Sequence, residues 1–179
     1  SGMIEKQITL RFCKLIQAEL ETNYNVILTR TTDEKLSAYQ RVSLANAHRG
    51  DLYLSIHLAG SGLQAGGFYF LEADGKVLDQ SGPLIPWKLA HVRHAMQSNK
   101  AAELFRNTFI KMTDNQKYVA DPCHTILLQG AAMPAVLVEP FAISMLPRQT
   151  DPQDDLLNQF VKIISACIDD YFTKTHQKK

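Results

Sequence analysis

The chain has 179 residues, with 19 Lys and Arg against 18 Asp and Glu, which gives a formal net charge of +1. Its length predicts one domain, and its 45% hydrophobic and 21% charged residues exclude a disordered chain, a collagen-like repeat and a coiled coil. The balanced charge argues against sequence-independent binding of nucleic acid, and no apolar run approaches the ~18 residues of a membrane-spanning helix.

The cysteines and the first residues of the chain say little about the class of protein. Cys13, Cys123 and Cys167 form no CxxC pair, so we expect neither a disulfide framework nor a structural zinc site. The opening Ser1–Met3 fits either a cloning remnant before an initiator methionine or the cut edge of a longer protein.

Apolar periodicity predicts four helices. Residues 4–23 place apolar side chains on one face at helical spacing, and residues 98–112 and 154–172 repeat the pattern. Between the first two, a further helix is expected to begin after the N-capping residues Thr31–Asp33 and to pass through Leu44.

Short all-apolar runs between these helices predict buried strands. The runs cover residues 26–29, 52–58, 68–71, 125–128 and 135–138. Helices that alternate with such strands are typical of an α/β domain whose sheet is covered on both faces. We therefore expect a mostly parallel or mixed sheet of about five to six strands, flanked by helices on both faces.

Two segments of the chain have no clear periodicity. Gly60–Gly67 has the composition of a Gly/Ser loop, and residues 74–95 contain Trp87, the single tryptophan. Trp87 fits either a lid or sugar-stacking surface, or an aromatic side chain packed on the flank of the domain.

Three polar residues at the ends of predicted elements are candidates for chemistry, because α/β sheets place ligands beyond their strand ends. His57 follows an apolar strand and precedes a mobile loop, which suits a metal ligand, a general base or a hydrogen-bonded structural histidine. Glu139 follows four apolar residues, where desolvation would raise the pKa of its carboxyl towards the range useful in proton transfer. A salt-bridged acid at a strand end is the alternative for Glu139. Glu5 opens the first helix, a position that the helix dipole alone explains.

These three residues also belong to an ordered set of short motifs. The motifs are Glu5-Lys6 at a helix start, Leu28-Thr29-Arg30, Leu36 with Arg41, Ala45-Asn46, Ser55-Ile56-His57 and Pro134-Ala135-Val136-Leu137-Val138-Glu139. In this order and at these intervals, the set resembles the zinc-dependent N-acetylmuramoyl-L-alanine amidases of bacterial cell-wall turnover, the amidase_3 family. The resemblance runs from about Glu5 to Ser144.

The resemblance implies a mixed sheet flanked by helices that carries a zinc ion, in one amidase-like domain over residues 1–179 with a polar tail at 174–179. It makes Glu5 and His57 metal ligands and Glu139 the catalytic acid/base. The implied substrate is peptidoglycan, cleaved at the amide that joins the lactyl group of N-acetylmuramic acid to L-alanine. The implied location is the cell envelope, periplasmic or secreted, and neither nucleic acid nor a membrane span is required.

Elementary metal chemistry agrees with this assignment. A mixed set of histidine and carboxylate ligands suits zinc better than magnesium or calcium. Zinc polarises a carbonyl and lowers the pKa of water to about 7, and three protein ligands leave a coordination position open for chemistry.

The sequence departs from the family pattern in three places. The family's opening strand and its G-H-G-G-type histidine ligand have no counterpart in this chain. Ala59 stands where the family usually has Asn, two residues after the histidine of the Ser-Ile-His motif. Phe141 and Met145 replace the Gly and Asn that usually follow the catalytic Glu.

The missing histidine leaves alternatives open. Either the third ligand lies in an omitted segment, or the chain is incomplete, or another histidine takes its place. His124 is the best substitute, ahead of His91 and His94. A rival hypothesis is a non-catalytic module that kept the fold, lost the metal site and binds or regulates the cell wall. A cytosolic α/β enzyme of unrelated chemistry would require the ordered motifs to be coincidental.

Overall fold

The computed structural model describes residues 5–60, 66–73, 86–147 and 149–176. Within these ranges the helices are α1 (Glu5–Leu20), α2 (Ala38–Ala47), α3 (Ala95–Thr113) and α4 (Thr150–His176). The strands are β1 (Tyr53–Ile56), β2 (Gly67–Phe70), β3 (Val119–Pro122) and β4 (Ala135–Glu139), and short 3-10 helices cover Trp87–His94 and Ile143–Met145. None of the described helices is long and apolar enough to cross a membrane.

The strands form one mixed sheet in the order β1-β4-β2-β3. β1 pairs with β4 in parallel, β2 pairs with β3 in parallel, and β2 and β4 are antiparallel. The predicted mixed sheet is therefore confirmed, but it has four strands within the described residues, fewer than the five to six expected.

Two predicted strands are wrong, and each fails because its backbone finds local partners. Residues 26–29 form no strand; the Val26 carbonyl accepts a hydrogen bond from the Gln17 side chain of α1 at 2.9 Å. Residues 125–128 form a turn, in which the Thr125 hydroxyl accepts the N–H of Leu127 at 3.1 Å. Such side-chain bonds to nearby backbone compete directly with strand pairing.

Strand β3 was not predicted, because its sequence lacks an apolar run. Val119, Asp121 and Pro122 are exposed, and β3 lies at the edge of the sheet. An edge strand needs no apolar run and tolerates proline, so its residues resemble those of a loop.

Helix α2 begins later than predicted. Ser37, and not Thr31–Asp33, is its N-cap: the Ser37 hydroxyl accepts the N–H of Gln40 at 3.2 Å, and the Gln40 side chain accepts the N–H of Ser37 at 2.8 Å. This reciprocal capping box satisfies two N–H groups that a helix start leaves unpaired. Asp33 instead forms an ion pair with Lys6 of α1 at 2.7 Å.

The larger hydrophobic core covers one face of the sheet, which packs against α1, α3 and α4. Phe68 of β2 lies at its centre and contacts the Phe109 ring of α3 edge to face, with the ring centroids 4.8 Å apart. Aromatic rings from α1, α3, β2 and the segment after β4 are fully buried there: Phe12, Phe68, Phe105, Phe109 and Phe141. Phe160 of α4 is 5% exposed and packs against Phe141, with the ring centroids 4.6 Å apart.

The opposite face carries a smaller cluster. Helix α2 and the turn that follows β3 cover it, and the buried members are Val42, Tyr53, Leu128, Ala131, Met133, Ala135 and Leu137. Helices therefore lie on both faces of the sheet, as predicted, although α2 contributes a single buried residue.

Candidate metal and acid–base site

The start of α1 and the end of β1 bring two of the predicted residues together. The Nδ1 atom of His57 lies 3.3 Å from Oε1 of Glu5, and the N–H of Leu58 donates to the same oxygen at 3.2 Å. The side chains of His57 and Glu5 are 39% and 45% exposed, so both side chains remain accessible to solvent. Residues 52 positions apart thus form one polar pair at the end of the sheet.

This pair matches the donor spacing of a zinc site. Two ligands that each lie about 2.0–2.1 Å from a tetrahedral zinc ion are about 3.3 Å apart, and the Glu5 and His57 donor atoms are 3.3 Å apart. A catalytic zinc site has three protein ligands, however, and the described ranges contain no group of three His, Cys, Asp or Glu side chains that could hold a metal. The spacing of the pair is compatible with zinc, and within the described residues the pair brings together two candidate donor atoms, fewer than the three of a catalytic site.

Glu139 lies at the same end of the sheet. It is the last residue of β4, which runs parallel to β1, and the N–H of His57 donates to the carbonyl of its neighbour Val138 at 2.9 Å. The carboxyl is half-buried, and this burial raises its pKa above the usual range; the negative charge of Glu5 adds to the effect. The structure thus places a carboxyl of raised pKa at the same end of the sheet as the Glu5–His57 pair.

Two glycines allow the backbone of β2 to approach Glu139. Gly67 is the antiparallel partner of Glu139, and a Cβ atom on Gly66 would overlap the carbonyl oxygen of Glu139. The expected Gly/Ser loop ends here, but its residues 61–65 lie outside the described part of the chain.

The Glu5–His57 pair lies at one end of a largely apolar groove of about 870 Å³. Residues 25–30 and β1, an edge strand among the described strands, line the groove, together with Cys13, Leu44 and Ile168. Arg41 of α2 also lines it and donates to the Thr29 hydroxyl at 3.4 Å.

The other histidines do not join the site. His124 is exposed, and Nδ1 of His91 accepts the backbone N–H of Gly130 at 3.4 Å. Burial lowers the pKa of both His91 and His94. None of the three belongs to a described group that could hold a metal, so the structure gives no support to a compensating histidine among them.

Two departures from the family pattern lie in the core, and one lies at the surface. Phe141 is fully buried against Phe12 and Phe160, so its ring fills the larger core and does not occlude the Glu139 side of the sheet. Ala59 is 1% exposed and forms a bridge with Ala142, whereas Met145 is 41% exposed.

Trp87 packs on the flank of the domain, and its role as a lid or sugar-stacking surface stays a prediction. Its ring packs on Gly130 and contacts Tyr39 edge to face, with the ring centroids 5.2 Å apart, yet 47% of the residue remains exposed. The segment that precedes it, residues 74–85, lies outside the described ranges.

Sequence reasoning did not single out Tyr69, whose half-buried ring lies over Gly67. The available signal was the alternation of a strand, which places residues 67 and 69 on the same face. It was missed because a tyrosine in an apolar strand is typical of ordinary packing.

Comparison with known families gives one match over most of the chain. A family model described as Amidase_3, N-acetylmuramoyl-L-alanine amidase, matches residues 1–159. The chain is also similar to the N-acetylmuramoyl-L-alanine amidase CwlM of Bacillus licheniformis, with 37% identity over 65 residues, 35% of this chain. The matched part spans 26% of the length of that curated relative.

Solved structures share the fold at low sequence identity. The N-acetylmuramoyl-L-alanine amidase AmiC2 of Nostoc punctiforme is 22% identical, with a TM-score of 0.70 over 97% of this chain and 87% of that one. An N-acetylmuramoyl-L-alanine amidase from Clostridium difficile 630 is 20% identical, with a TM-score of 0.71 over 97% and 86% of the two chains.

Proposed function

The chain belongs to the Amidase_3 family of N-acetylmuramoyl-L-alanine amidases, and from this premise we propose that it is a zinc-dependent peptidoglycan amidase. The bond cleaved is the amide between the lactyl group of N-acetylmuramic acid and L-alanine. One observation carries the proposal: Glu5 and His57 meet at 3.3 Å beside the half-buried carboxyl of Glu139. A substrate in peptidoglycan places the protein in the cell envelope.

The proposed metal ligands are Glu5 and His57, and a third ligand is needed to complete the set. A zinc ion held there supplies Lewis acidity, which polarises an amide carbonyl and makes water acidic enough to lose a proton near neutral pH. The N–H of Leu58, bonded to Oε1 of Glu5 at 3.2 Å, fixes the direction of that carboxylate. Such supporting hydrogen bonds orient ligand side chains and strengthen metal binding.

Glu139 is the proposed acid/base. As a base, its carboxylate takes the proton of the attacking water; as an acid, it delivers that proton to the amine of the leaving L-alanine. Both roles are favoured by a pKa raised above that of an ordinary glutamate, because proton transfer is fastest when the pKa approaches the working pH.

The rival function is a non-catalytic module that binds or regulates peptidoglycan. The observation that favours it is the incomplete donor set, since the described residues contain no group of three candidate ligands and a catalytic zinc site has three. The two functions differ in their dependence on zinc and on the Glu139 carboxyl.

Metal analysis and the conservative variant Glu139→Gln test the proposal together. We expect about one zinc ion per chain, release of peptide from muropeptides, and loss of that release on chelation with recovery on added zinc. Glu139→Gln should lower the rate by about 100-fold or more while zinc stays bound. The matched control is Glu19→Gln, which removes an exposed carboxyl of α1 and should leave the rate unchanged.

Two results would contradict the enzymatic proposal. One is a zinc-free chain without hydrolysis, whose binding to peptidoglycan survives both chelation and Glu139→Gln; this supports the rival module. The other is hydrolysis that persists in Glu139→Gln, which removes Glu139 from the acid/base role.

A further inference from the structure

The pairing of the strands places a second polar residue in the same part of the sheet as Glu139. Gly67 of β2 is paired with Glu139, and Tyr69 is paired with Leu137 on one side and with Asp121 on the other. Directly paired residues share a face of the sheet, and so do residues two positions apart along a strand. Gly67, Tyr69, Asp121 and Glu139 therefore lie on one face.

The ring of Tyr69 lies over Gly67 and extends towards the position opposite Glu139. A Cβ atom built on Gly67 would be 2.5 Å from the Tyr69 hydroxyl oxygen and 2.6 Å from the ring carbon that carries it. The hydroxyl thus takes the place that a side chain at position 67 would fill. Side chains of directly paired residues have Cβ atoms about 4.5–5.5 Å apart, so the hydroxyl reaches the neighbourhood of Glu139.

Within the described residues, the Tyr69 hydroxyl has no hydrogen-bond partner, although the residue is half-buried. Two other tyrosines differ in this respect: the Tyr118 hydroxyl donates to the Pro140 carbonyl at 2.9 Å, and that of Tyr24 donates to Asp169 at 2.7 Å. Polar groups without a protein partner normally bond water, so this hydroxyl near a candidate catalytic carboxyl is available to a ligand that displaces the water.

The charges around Tyr69 define the kind of group that it can bind. Burial raises the pKa of its hydroxyl, and the negative charges of Glu139 and Asp121 raise it further. The hydroxyl therefore remains a proton donor throughout the neutral range. The same carboxylates repel an anionic ligand, so the acceptor that fits is a neutral carbonyl oxygen.

We propose that Tyr69 is a substrate-binding residue whose hydroxyl donates a hydrogen bond to an amide carbonyl of the muropeptide, next to the bond that is cleaved. This inference rests on the proposed amidase function. The proposed contact requires glycine at position 67, because any side chain there would displace the Tyr69 phenol from the neighbourhood of Glu139.

Tyr69→Phe tests the proposal, since it removes the hydroxyl and keeps the ring. We expect KM for muropeptide hydrolysis to rise about 3- to 10-fold, the size of one neutral hydrogen bond, with kcat little changed. The melting temperature should not fall, because the hydroxyl has no protein partner among the described residues. The control is Tyr39→Phe on α2, whose hydroxyl bonds Gln129 at 3.4 Å; it should leave KM unchanged.

Gly67→Ala provides an independent arm that retains the hydroxyl but displaces the ring. It should raise KM to a similar extent, and the double variant with Tyr69→Phe should show no further rise, because both changes remove the same contact. Circular dichroism on each variant separates this effect from unfolding. Independent, additive rises in KM would contradict the shared contact.

Equilibrium binding separates this inference from the proposed function. An N-acetylmuramoyl dipeptide is titrated into the zinc-loaded Glu139→Gln chain, with and without Tyr69→Phe, so that no turnover is required. A 3- to 10-fold weaker Kd in the Tyr69→Phe chain supports the contact. An unchanged Kd, or the absence of binding in both chains, overturns it, whereas failure of the proposed function shows as the absence of zinc and of hydrolysis in the unmutated chain.

Discussion

The two faces of the sheet are built in different ways. Three helices cover one face, and their aromatic side chains interlock with those of β2 in the larger core. The other face has α2, which buries a single residue, and a turn-rich segment around Leu128. On the first face the Tyr118 hydroxyl is buried and paired with the Pro140 carbonyl, whereas the second face leads directly into the polar end of the sheet.

The candidate site lies on the face of the sheet that α2 covers. Leu137 belongs to the smaller cluster, and Glu139, two residues further along β4, lies on the same face. Tyr53 belongs to that cluster as well, and alternation along β1 places His57 on its side of the sheet. This difference indicates that the two faces have different roles. The larger core stabilises the sheet, and the sparse cover of the other face leaves the polar end of the sheet accessible.

The largest expected loss of unfolding free energy comes from substituting one buried leucine on each face of the sheet. Leu157→Ala in α4 and Leu128→Ala in the turn remove the same atoms, from residues that are 0% and 1% exposed. Leu→Ala substitutions in cores cost about 2–5 kcal/mol, and the cost depends on how far the surroundings collapse into the cavity. We expect Leu157→Ala near the upper end of that range and Leu128→Ala near the lower end, measured by urea denaturation.

The explanation for the difference is that α4 is held by the surrounding core, whereas a turn can shift to fill the space. Equal losses of unfolding free energy would contradict it and would mean that the two faces are equally rigid. A larger loss for Leu128→Ala would reverse the comparison.

Removing the N-cap of α2, the helix on the thinner face, should cause a smaller loss of unfolding free energy. Ser37→Ala removes the hydroxyl that accepts the N–H of Gln40, and the expected loss is about 1 kcal/mol of unfolding free energy. Ser37→Asp is the matched control, since aspartate retains an acceptor at the cap and should keep most of the stability. If Ser37→Ala leaves the free energy of unfolding unchanged, α2 does not depend on its cap.

Apolar spacing predicted the helices and the strands β1, β2 and β4, because each of these elements buries apolar side chains in one of the two clusters. It failed where polar chemistry acts locally: Thr125 forms a turn within an apolar run, and the capping box at Ser37 outweighs the earlier candidates Thr31–Asp33. Strand β3 was missed because exposed edge residues show no apolar pattern. These are differences in side-chain partners, which periodicity alone does not detect.

Only part of the candidate site was predictable from the sequence. Glu5, His57 and Glu139 are separated in sequence, and only their motifs indicated a common site before the fold placed them at one end of the sheet. Tyr69 belongs to no motif, and its position depends on strand register and on the missing side chain of Gly67. Register across strands distant in sequence is set by tertiary pairing, so local patterns could not supply it.

The smallest expected change in stability comes from removing the carboxyl of Glu139, the candidate acid/base on the thinner face. Its pKa in the folded chain is raised, first by burial and then by the negative charge of Glu5. The folded state therefore binds its proton more tightly than the unfolded state, and stability falls as the pH rises through the window above the ordinary glutamate pKa. In the metal-free chain at pH 7, Glu139→Gln should consequently raise the melting temperature.

The gain should be smaller than the loss at the Ser37 cap, because solvent screens a half-exposed carboxyl. It should shrink towards pH 4, where the wild-type carboxyl becomes protonated and resembles the neutral glutamine. Glu19→Gln, at an exposed position on α1, is the control for a change in net charge alone. A wild-type chain that is more stable than Glu139→Gln at pH 7 would show that Glu139 supports the fold, as a salt-bridged acid at a strand end would. The expected gain instead means that the open end of the sheet carries a destabilising carboxyl, as a site arranged for proton transfer requires.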